Sequence, residues 1–187
     1  MLSSLHHIRR TMRQLEDAGI RCALGGSALL YSLSLAAQVR DWDLTTDAPL
    51  EAAVRALEQA GLAWEAEPSG DYPFASSYRL SLRAGEADGA LPVDLIGGFA
   101  IHSDTGLCRL PNGPAFEWEG LPMAAPETWA AVYALMGRQA KAELLFAYLR
   151  RHGAHTERMR SLLAEPLPAS IRAELERVPA ANAKPSM

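Results

Sequence analysis

The chain has 187 residues, enough for one domain with a hydrophobic core, and its 49% hydrophobic and 21% charged residues are ordinary for a globular protein. No apolar run reaches the roughly 18 residues of a membrane-spanning helix, and residues 1–13 lack the apolar stretch of a secretory signal. Cys22 and Cys108 lie in apolar contexts far apart, which favours buried thiols, and we expect a cytoplasmic protein that does not bind membranes.

Helices and strands alternate in the first half of the chain. Apolar residues at helical spacing predict a helix over Leu2–Ala18, which ends at Gly19. A buried strand is predicted over Ile20–Leu24, and after the glycines a helix over Ala28–Ala37 with Ser27 as its N-cap. The next predicted elements are a strand at Asp41–Thr46, a helix at Leu50–Ala60, and strands at Ala63–Glu67, Ser76–Leu82 and Pro92–Ile96.

The second half of the chain changes from short strands to helices. The predicted strands are Phe99–His102, Gly106–Leu110 and Ala115–Trp118, and the predicted helices are Glu127–Met136, Gln139–His152, His155–Ala164 and Ala169–Val178. This order predicts an α+β (α/β) fold. We expect an α/β core over residues 1–120, a helical C-terminal part over 121–178, and a disordered tail over 179–187.

Two acids, Asp41 and Asp43, flank Trp42 in the second predicted strand. Because residues i and i+2 of a strand point to the same face, both carboxylates are expected on one side and Trp42 on the other. Adjacent carboxylates repel each other unless a cation or hydrogen bonds compensate, and Mg²⁺ prefers such ligands. A pair of solvent-facing aspartates in a turn would give the same pattern, so the pair alone leaves both interpretations open.

The segment Gly25-Gly26-Ser27 precedes the acids at the junction of a predicted strand and a predicted helix. Backbone N–H groups at such a helix start favour an anion, and glycine permits close approach of a phosphate. Ser27 could bond a phosphate oxygen or only cap the helix. When the segment is taken alone, an ordinary strand-to-helix connection with a serine cap is the better explanation.

A third acid, Asp94, interrupts an apolar predicted strand. A buried carboxylate is costly without a partner. A metal ion shared with Asp41 and Asp43 would compensate for the charge, and so would a salt bridge to an arginine.

Taken together, these motifs resemble the nucleotidyltransferase superfamily of DNA polymerase β-like fold. The resemblance is closest to its small bacterial branches, namely the nucleotidyltransferase toxins of toxin–antitoxin systems and the aminoglycoside and lincosamide nucleotidyltransferases. It rests on the glycine turn, the arginine and acid pair that follow, the later acid, and the C-terminal Pro-Glu helix and lysine: Gly25-Gly26-Ser27, Arg40, Asp41-Trp42-Asp43, Asp94, Ala125-Pro126-Glu127 and Lys141.

The resemblance implies a mixed sheet flanked by helices and a Mg²⁺-dependent transfer of a nucleoside monophosphate from a nucleoside triphosphate to an acceptor hydroxyl. Asp41, Asp43 and Asp94 would be catalytic residues and metal ligands, with Asp94 binding a second ion or acting as base. The implied nucleotide-binding residues are Gly25, Gly26, Ser27, Arg40 and Lys141.

Residues 138–160 contain six Lys and Arg residues against two Glu, although the whole chain has a net charge of −4. On charge alone, a solvated helix face is the better explanation of this basic stretch, while among the possible acceptors the stretch mildly favours a nucleic acid. The acceptor is therefore left open between tRNA, a protein and a small molecule.

Two other functions fit parts of the pattern. A catalytically inactive nucleotidyltransferase-fold binding module, as a toxin–antitoxin or two-subunit partner or a homodimer, would keep the same fold. The segment Asp41–Thr45 also matches the D-x-D-x-T motif of haloacid dehalogenase-like phosphatases, but residues 37–40 lack the apolar strand that should precede it.

Overall fold

The computed structural model describes residues 2–68, 72–83 and 91–181. In these ranges the chain forms nine strands and seven helices. The strands are β1 (Ala23–Leu24), β2 (Trp42–Thr46), β3 (Ala63–Glu67), β4 (Tyr78–Arg83), β5 (Val93–Gly97), β6 (Ala100–Ser103), β7 (Gly106–Arg109), β8 (Pro114–Trp118) and β9 (Leu121–Ala124). The helices are α1 (Leu2–Asp17), α2 (Gly26–Ser32), α3 (Leu50–Gln59), α4 (Pro126–Leu135), α5 (Gln139–His152), α6 (Thr156–Leu163) and α7 (Ala169–Glu176).

Seven strands form one mixed sheet in the order β3-β4-β5-β2-β1-β9-β8, and β6 pairs with β7 in a separate hairpin. The pairs β2–β5 and β1–β9 are parallel, and the other neighbours in the sheet are antiparallel. Strands β2 and β5 are therefore central and adjacent. Their backbones are held on both sides, which fixes the positions of the side chains that they carry.

Helix α4 connects the sheet to the C-terminal helices and is buried along most of its length, from Pro126 to Tyr133. A helix that is apolar on all sides is typical of a protein interior. It packs against α5, α6 and α7 and against strand β6. As a result, α4 carries Trp129 to the cavity formed at the sheet.

The predicted α+β fold is confirmed, and most predicted elements lie within a few residues of the observed ones. Three details were wrong. Helix α2 ends at Ser32 rather than Ala37, and its N-cap is Gly25 rather than Ser27. The strand predicted over Ile20–Leu24 is confined to Ala23–Leu24.

Strand β9 was not predicted, and it joins the core sheet between β1 and β8 immediately after residue 120. At the C-terminus, Ala180 forms a parallel bridge with Ala154. Residues 182–187 of the predicted tail lie outside the described residues. Within the described ranges, no helix has the length and apolar character needed to cross a bilayer.

Candidate active site

The three predicted acids come together at one cavity of about 280 Å³. Asp43 on β2 lies opposite Asp94 on β5 in the parallel register, and Asp41 directly precedes β2. Trp42 is only 1% exposed, because its side chain points to the opposite face of the sheet and packs in the core. The alternation expected for the D-x-D segment is therefore present.

Ser27 holds the first acid rather than capping helix α2. Its Oγ lies 2.8 Å from Asp41 Oδ1 and 3.1 Å from the Asp41 carbonyl oxygen, so the hydroxyl donates toward Asp41. The same oxygen accepts the Arg40 backbone N–H at 3.0 Å. The serine thereby fixes the chain where it enters β2. The predicted capping role is wrong, since no side-chain cap is formed at this helix.

The two glycines make room for side chains of the site. A Cβ atom at Gly25 would lie 2.0 Å from the indole ring of Trp129. A Cβ atom at Gly26, whose φ is +56°, would lie 1.8 Å from Asp43 Oδ2. Glycine is thus required at both positions by protein atoms, independently of any ligand.

Asp43 is the acid whose charge the site tolerates least. Burial raises its pKa to about 7, and the like charges of Asp41 and Asp94 act in the same direction against Arg79 and Arg138. No hydrogen bond or ion pair to its carboxylate is present among the described residues. A cation bound here would relieve this unfavourable charge.

Asp94 already has a cationic partner. Arg79 Nη2 on strand β4 lies 2.6 Å from Asp94 Oδ2, and the Asp94 side chain is only 10% exposed. The structure thus contains the arginine salt bridge that the sequence left open as an alternative to a shared metal ion. The sequence offered no signal for which arginine it would be, because the contact depends on the pairing of β4 with β5.

Among the solved structures similar to this one is a candidate nucleotidyltransferase from Thermotoga maritima. It has a TM-score of 0.57 and 19% sequence identity, covering 81% of this chain and 96% of its own. The antibiotic-resistance factor ANT(2'')-Ia has a TM-score of 0.53 and 14% identity, covering 94% of this chain and 92% of its own. The chain has a nucleotidyltransferase fold. No family model and no curated protein matches the sequence.

Two further predicted residues lie near the acids of this nucleotidyltransferase fold. Lys141 Nζ stands over the ring of Tyr133 at 5.1 Å from its centroid. Burial lowers the pKa of Lys141, as do the charges of Arg138 and Arg40, while Asp41 and Asp43 oppose that shift. The side chain of Arg40 is exposed, and its charge acts on Lys141.

Arg138 also lines the cavity, together with the aromatic side chains of Phe99 and Trp129. The sequence identified Arg138 only as part of a basic stretch, and Phe99 and Trp129 were not predicted for the site. Only their placement by α4 and by the loop after β5 brings them to the acids.

The donor set fits one divalent cation better than a larger metal cluster. Asp41 and Asp43 are carboxylates at a common cavity, which is the ligand chemistry that Mg²⁺ prefers. In contrast, the described part of the chain contains no group of three or more His, Cys, Asp or Glu residues arranged to hold a metal ion. This is consistent with the engagement of Asp94 by Arg79.

Proposed function

We propose that the protein is a Mg²⁺-dependent nucleotidyltransferase that moves a nucleoside monophosphate from a nucleoside triphosphate to an acceptor hydroxyl. The observation that supports it best is the convergence of Asp41, Asp43 and Asp94 on one cavity within a nucleotidyltransferase fold. In the cytoplasm, where we expect the protein to act, nucleoside triphosphates are available as donors.

In this proposal, Asp41 and Asp43 hold the cation, and Ser27 keeps Asp41 in place. When bound, Mg²⁺ would supply positive charge to the triphosphate and help pyrophosphate leave. The acceptor oxygen forms a bond to the α-phosphorus, and the bond from that phosphorus to the β-phosphate oxygen breaks. The proton of the acceptor hydroxyl passes to Asp94, unless that residue binds a second ion instead.

The remaining predicted residues are proposed to bind the nucleotide. Lys141 lies close enough to Asp41 and Asp43 to interact with them electrostatically, so it can neutralise a triphosphate bound beside the acids. Arg40, Gly25 and Gly26 lie next to the same acids in the chain or in space. The contribution of Gly26 is proposed to be its backbone N–H, and that of Arg40 its positive charge beside the phosphates. The Gly25 N–H donates to the Asp43 carbonyl oxygen at 2.9 Å, so Gly25 is proposed to act by allowing close approach of the phosphates.

We further propose that the acceptor is a small molecule rather than tRNA. Met136 lines both the acid cavity and a second cavity of about 590 Å³, which also contains Asp104, Glu143 and Glu174. Several basic residues of the 138–160 stretch are engaged elsewhere: Arg150 pairs with Glu143 and Glu174, Arg160 pairs with Glu157, and Arg158 donates to the Pro114 carbonyl. Basic residues engaged in this way are less available to bind a polyanion such as tRNA.

Calorimetry with Mg²⁺ and each of the four nucleoside triphosphates tests the proposal. We expect metal-dependent binding of at least one nucleotide, and its loss in Asp41→Asn and Asp43→Asn proteins. Asp17→Asn, at an exposed aspartate that ends helix α1 outside both cavities, serves as the matched control and should bind normally. Pyrophosphate release with candidate hydroxylated acceptors then tests transfer itself.

The alternative is a nucleotidyltransferase-fold module that binds a protein partner, or a second copy of the chain, without catalysis. The ion pair between Arg79 and Asp94 favours it, because a catalytic acid is already neutralised. No heat with any of the four triphosphates and Mg²⁺, from a protein shown to be folded, would support this alternative and count against the enzyme.

A further inference from the structure

Arg79 lies beside the acids on the same face of the sheet. In the antiparallel pairing of β4 with β5, Ser81 is opposite Asp94 and Arg79 is opposite Ile96. Arg79 is therefore the diagonal neighbour of Asp94, a separation that a long side chain spans. Its guanidinium reaches Asp94 Oδ2 at 2.6 Å and lines the acid cavity.

This ion pair differs from the surface pairs of the same sheet. The Asp94 side chain is 10% exposed and that of Arg79 is 47% exposed, whereas Arg83 and Glu65, the next pair on that face, are 67% and 58% exposed. A nearly buried carboxylate that loses its ion-pair partner is left uncompensated, so breaking this pair costs more free energy than breaking an exposed pair. Arg79 thus supplies the positive charge that balances Asp94.

Asp43 and Asp94, which lie opposite each other on β2 and β5, have different surroundings. Asp94 is hydrogen-bonded to a guanidinium, while the carboxylate of Asp43 has no hydrogen bond or ion pair among the described residues. A divalent cation at Asp41 and Asp43 therefore meets two carboxylates that form no ion pair among the described residues, with the charges of Arg138 and Lys141 nearby. A second one at Asp94 would have to displace Arg79 and would lie against its positive charge.

We propose that this protein binds a single divalent cation, at Asp41 and Asp43, an inference that rests on the proposed function. The guanidinium of Arg79 takes the place of a second ion at Asp94. The charge of Asp94 is then balanced by a residue of the chain itself. Arg79 contacts Oδ2, and Oδ1 of Asp94 has no hydrogen-bond partner among the described residues, so Oδ1 can accept the proton of the acceptor hydroxyl.

Counting bound Mn²⁺ by electron paramagnetic resonance of the free ion tests this proposal without an activity assay. We expect one Mn²⁺ per wild-type chain, and two per chain in Arg79→Gln, because Asp94 is then free to bind the second ion. Arg83→Gln is the matched control on the same strand and should bind one. Asp43→Asn should weaken Mn²⁺ binding by at least about tenfold, whereas Asp94→Asn should leave the affinity of the single ion nearly unchanged.

Two ions on the wild-type chain, or an Asp94→Asn protein that loses Mn²⁺ as severely as Asp43→Asn, would overturn the single-cation site while leaving the proposed enzyme intact. A folded Arg79→Gln protein that binds one ion would overturn the role given to Arg79. If Arg79→Gln does not fold, as judged by circular dichroism, the affinity of Asp94→Asn for Mn²⁺ decides whether the single-cation site is correct. No bound Mn²⁺ on the wild-type chain would overturn both this inference and the metal-dependent function.

Discussion

Asp43 and Asp94 lie directly opposite each other on the parallel strands β2 and β5, but within the described part of the chain only Asp94 has an ion-pair partner. The pairing places two like charges on one face of the sheet, and Arg79 compensates one of them. The remaining unfavourable charge is that of Asp43, whose pKa is raised to about 7, mostly by burial and further by the charges of Asp41 and Asp94. Several properties of the protein should follow from this asymmetry.

The first prediction is that Asp43→Asn stabilises the metal-free protein at high pH. The pKa of Asp43 is about 7 in the folded chain and 3.8 as its ordinary value, so folded Asp43 holds its proton more tightly. At a pH between these two pKa values, Asp43 is ionised in the unfolded chain and still protonated in the folded chain. The free energy of unfolding therefore falls as the pH rises through this range. Well above pH 7 the full free-energy cost of ionising Asp43 is present, on the order of 4 kcal/mol, and asparagine does not incur it.

Urea unfolding in EDTA, followed from pH 4 to pH 8, measures this difference. The Asp43→Asn variant should exceed wild type in free energy of unfolding at pH 8 and match it near pH 4. A constant difference between Asp43→Asn and wild type across this range would contradict the prediction.

The second prediction concerns the close approach of Gly26 to Asp43. Gly26→Ala forces an alanine into the left-handed region at φ +56° and places its Cβ against the carboxylate. The conformational cost is about 1–2 kcal/mol, and the overlap adds about 1–3 kcal/mol. Gly61→Ala is the matched control, since Gly61 has φ +64° and no atom within 4 Å of the added Cβ.

Denaturant unfolding should therefore show a larger loss of stability for Gly26→Ala than for Gly61→Ala. Only the former should also weaken Mn²⁺ binding, because it displaces the Asp43 carboxylate. Equal losses in both variants would mean that the contact with Asp43 contributes nothing.

The site could be predicted where the signal is local, and could not where it depends on long-range pairing. The spacing of Asp41 and Asp43 along one strand, and an acid in a later apolar strand, indicated the acid cluster. The partner Arg79 was not identifiable, because only the register between β4 and β5 brings it to Asp94. Strand β9 was missed for a related reason, since it contains Pro122 and is short, yet it pairs with β1.

Helix α2 shows how a local signal can mislead. The apolar pattern continues past Ser32, and it predicted a helix as far as Ala37. Instead, Ser34 adopts φ 60°, and the Leu35 N–H bonds the Leu30 carbonyl, which closes the helix in the manner of a C-terminal cap. The residue with positive φ at such a helix end is usually glycine, whereas in this helix it is Ser34.

The third prediction is that Ser27→Ala weakens both stability and metal binding. It removes the hydrogen bond to Asp41 Oδ1 and leaves the Arg40 backbone N–H without its acceptor. Such a loss at a buried site costs about 1–3 kcal/mol. Because Asp41 is then free to rotate, Mn²⁺ affinity should fall as well.

Ser32→Ala, in the same helix, provides the control for Ser27→Ala. Ser32 donates only to the Leu29 carbonyl within helix α2, so its replacement should change stability by less than about 0.5 kcal/mol and leave Mn²⁺ binding intact. If Ser27→Ala lowers stability but binds Mn²⁺ with wild-type affinity, Ser27 supports the fold and does not position Asp41.

The last prediction assigns Lys141 to the triphosphate rather than to the nucleoside. Lys141 stands on the ring of Tyr133, and its ammonium interacts electrostatically with Asp41 and Asp43. Lys141→Met keeps the aliphatic stem on that ring and removes the charge. Calorimetry with Mg²⁺ should show affinity for the triphosphate lowered by about tenfold or more, with little change for the monophosphate of the same nucleoside. Arg151→Met, an exposed cation on the same helix, should change neither, and equal losses for both nucleotides would place Lys141 at the base or ribose instead.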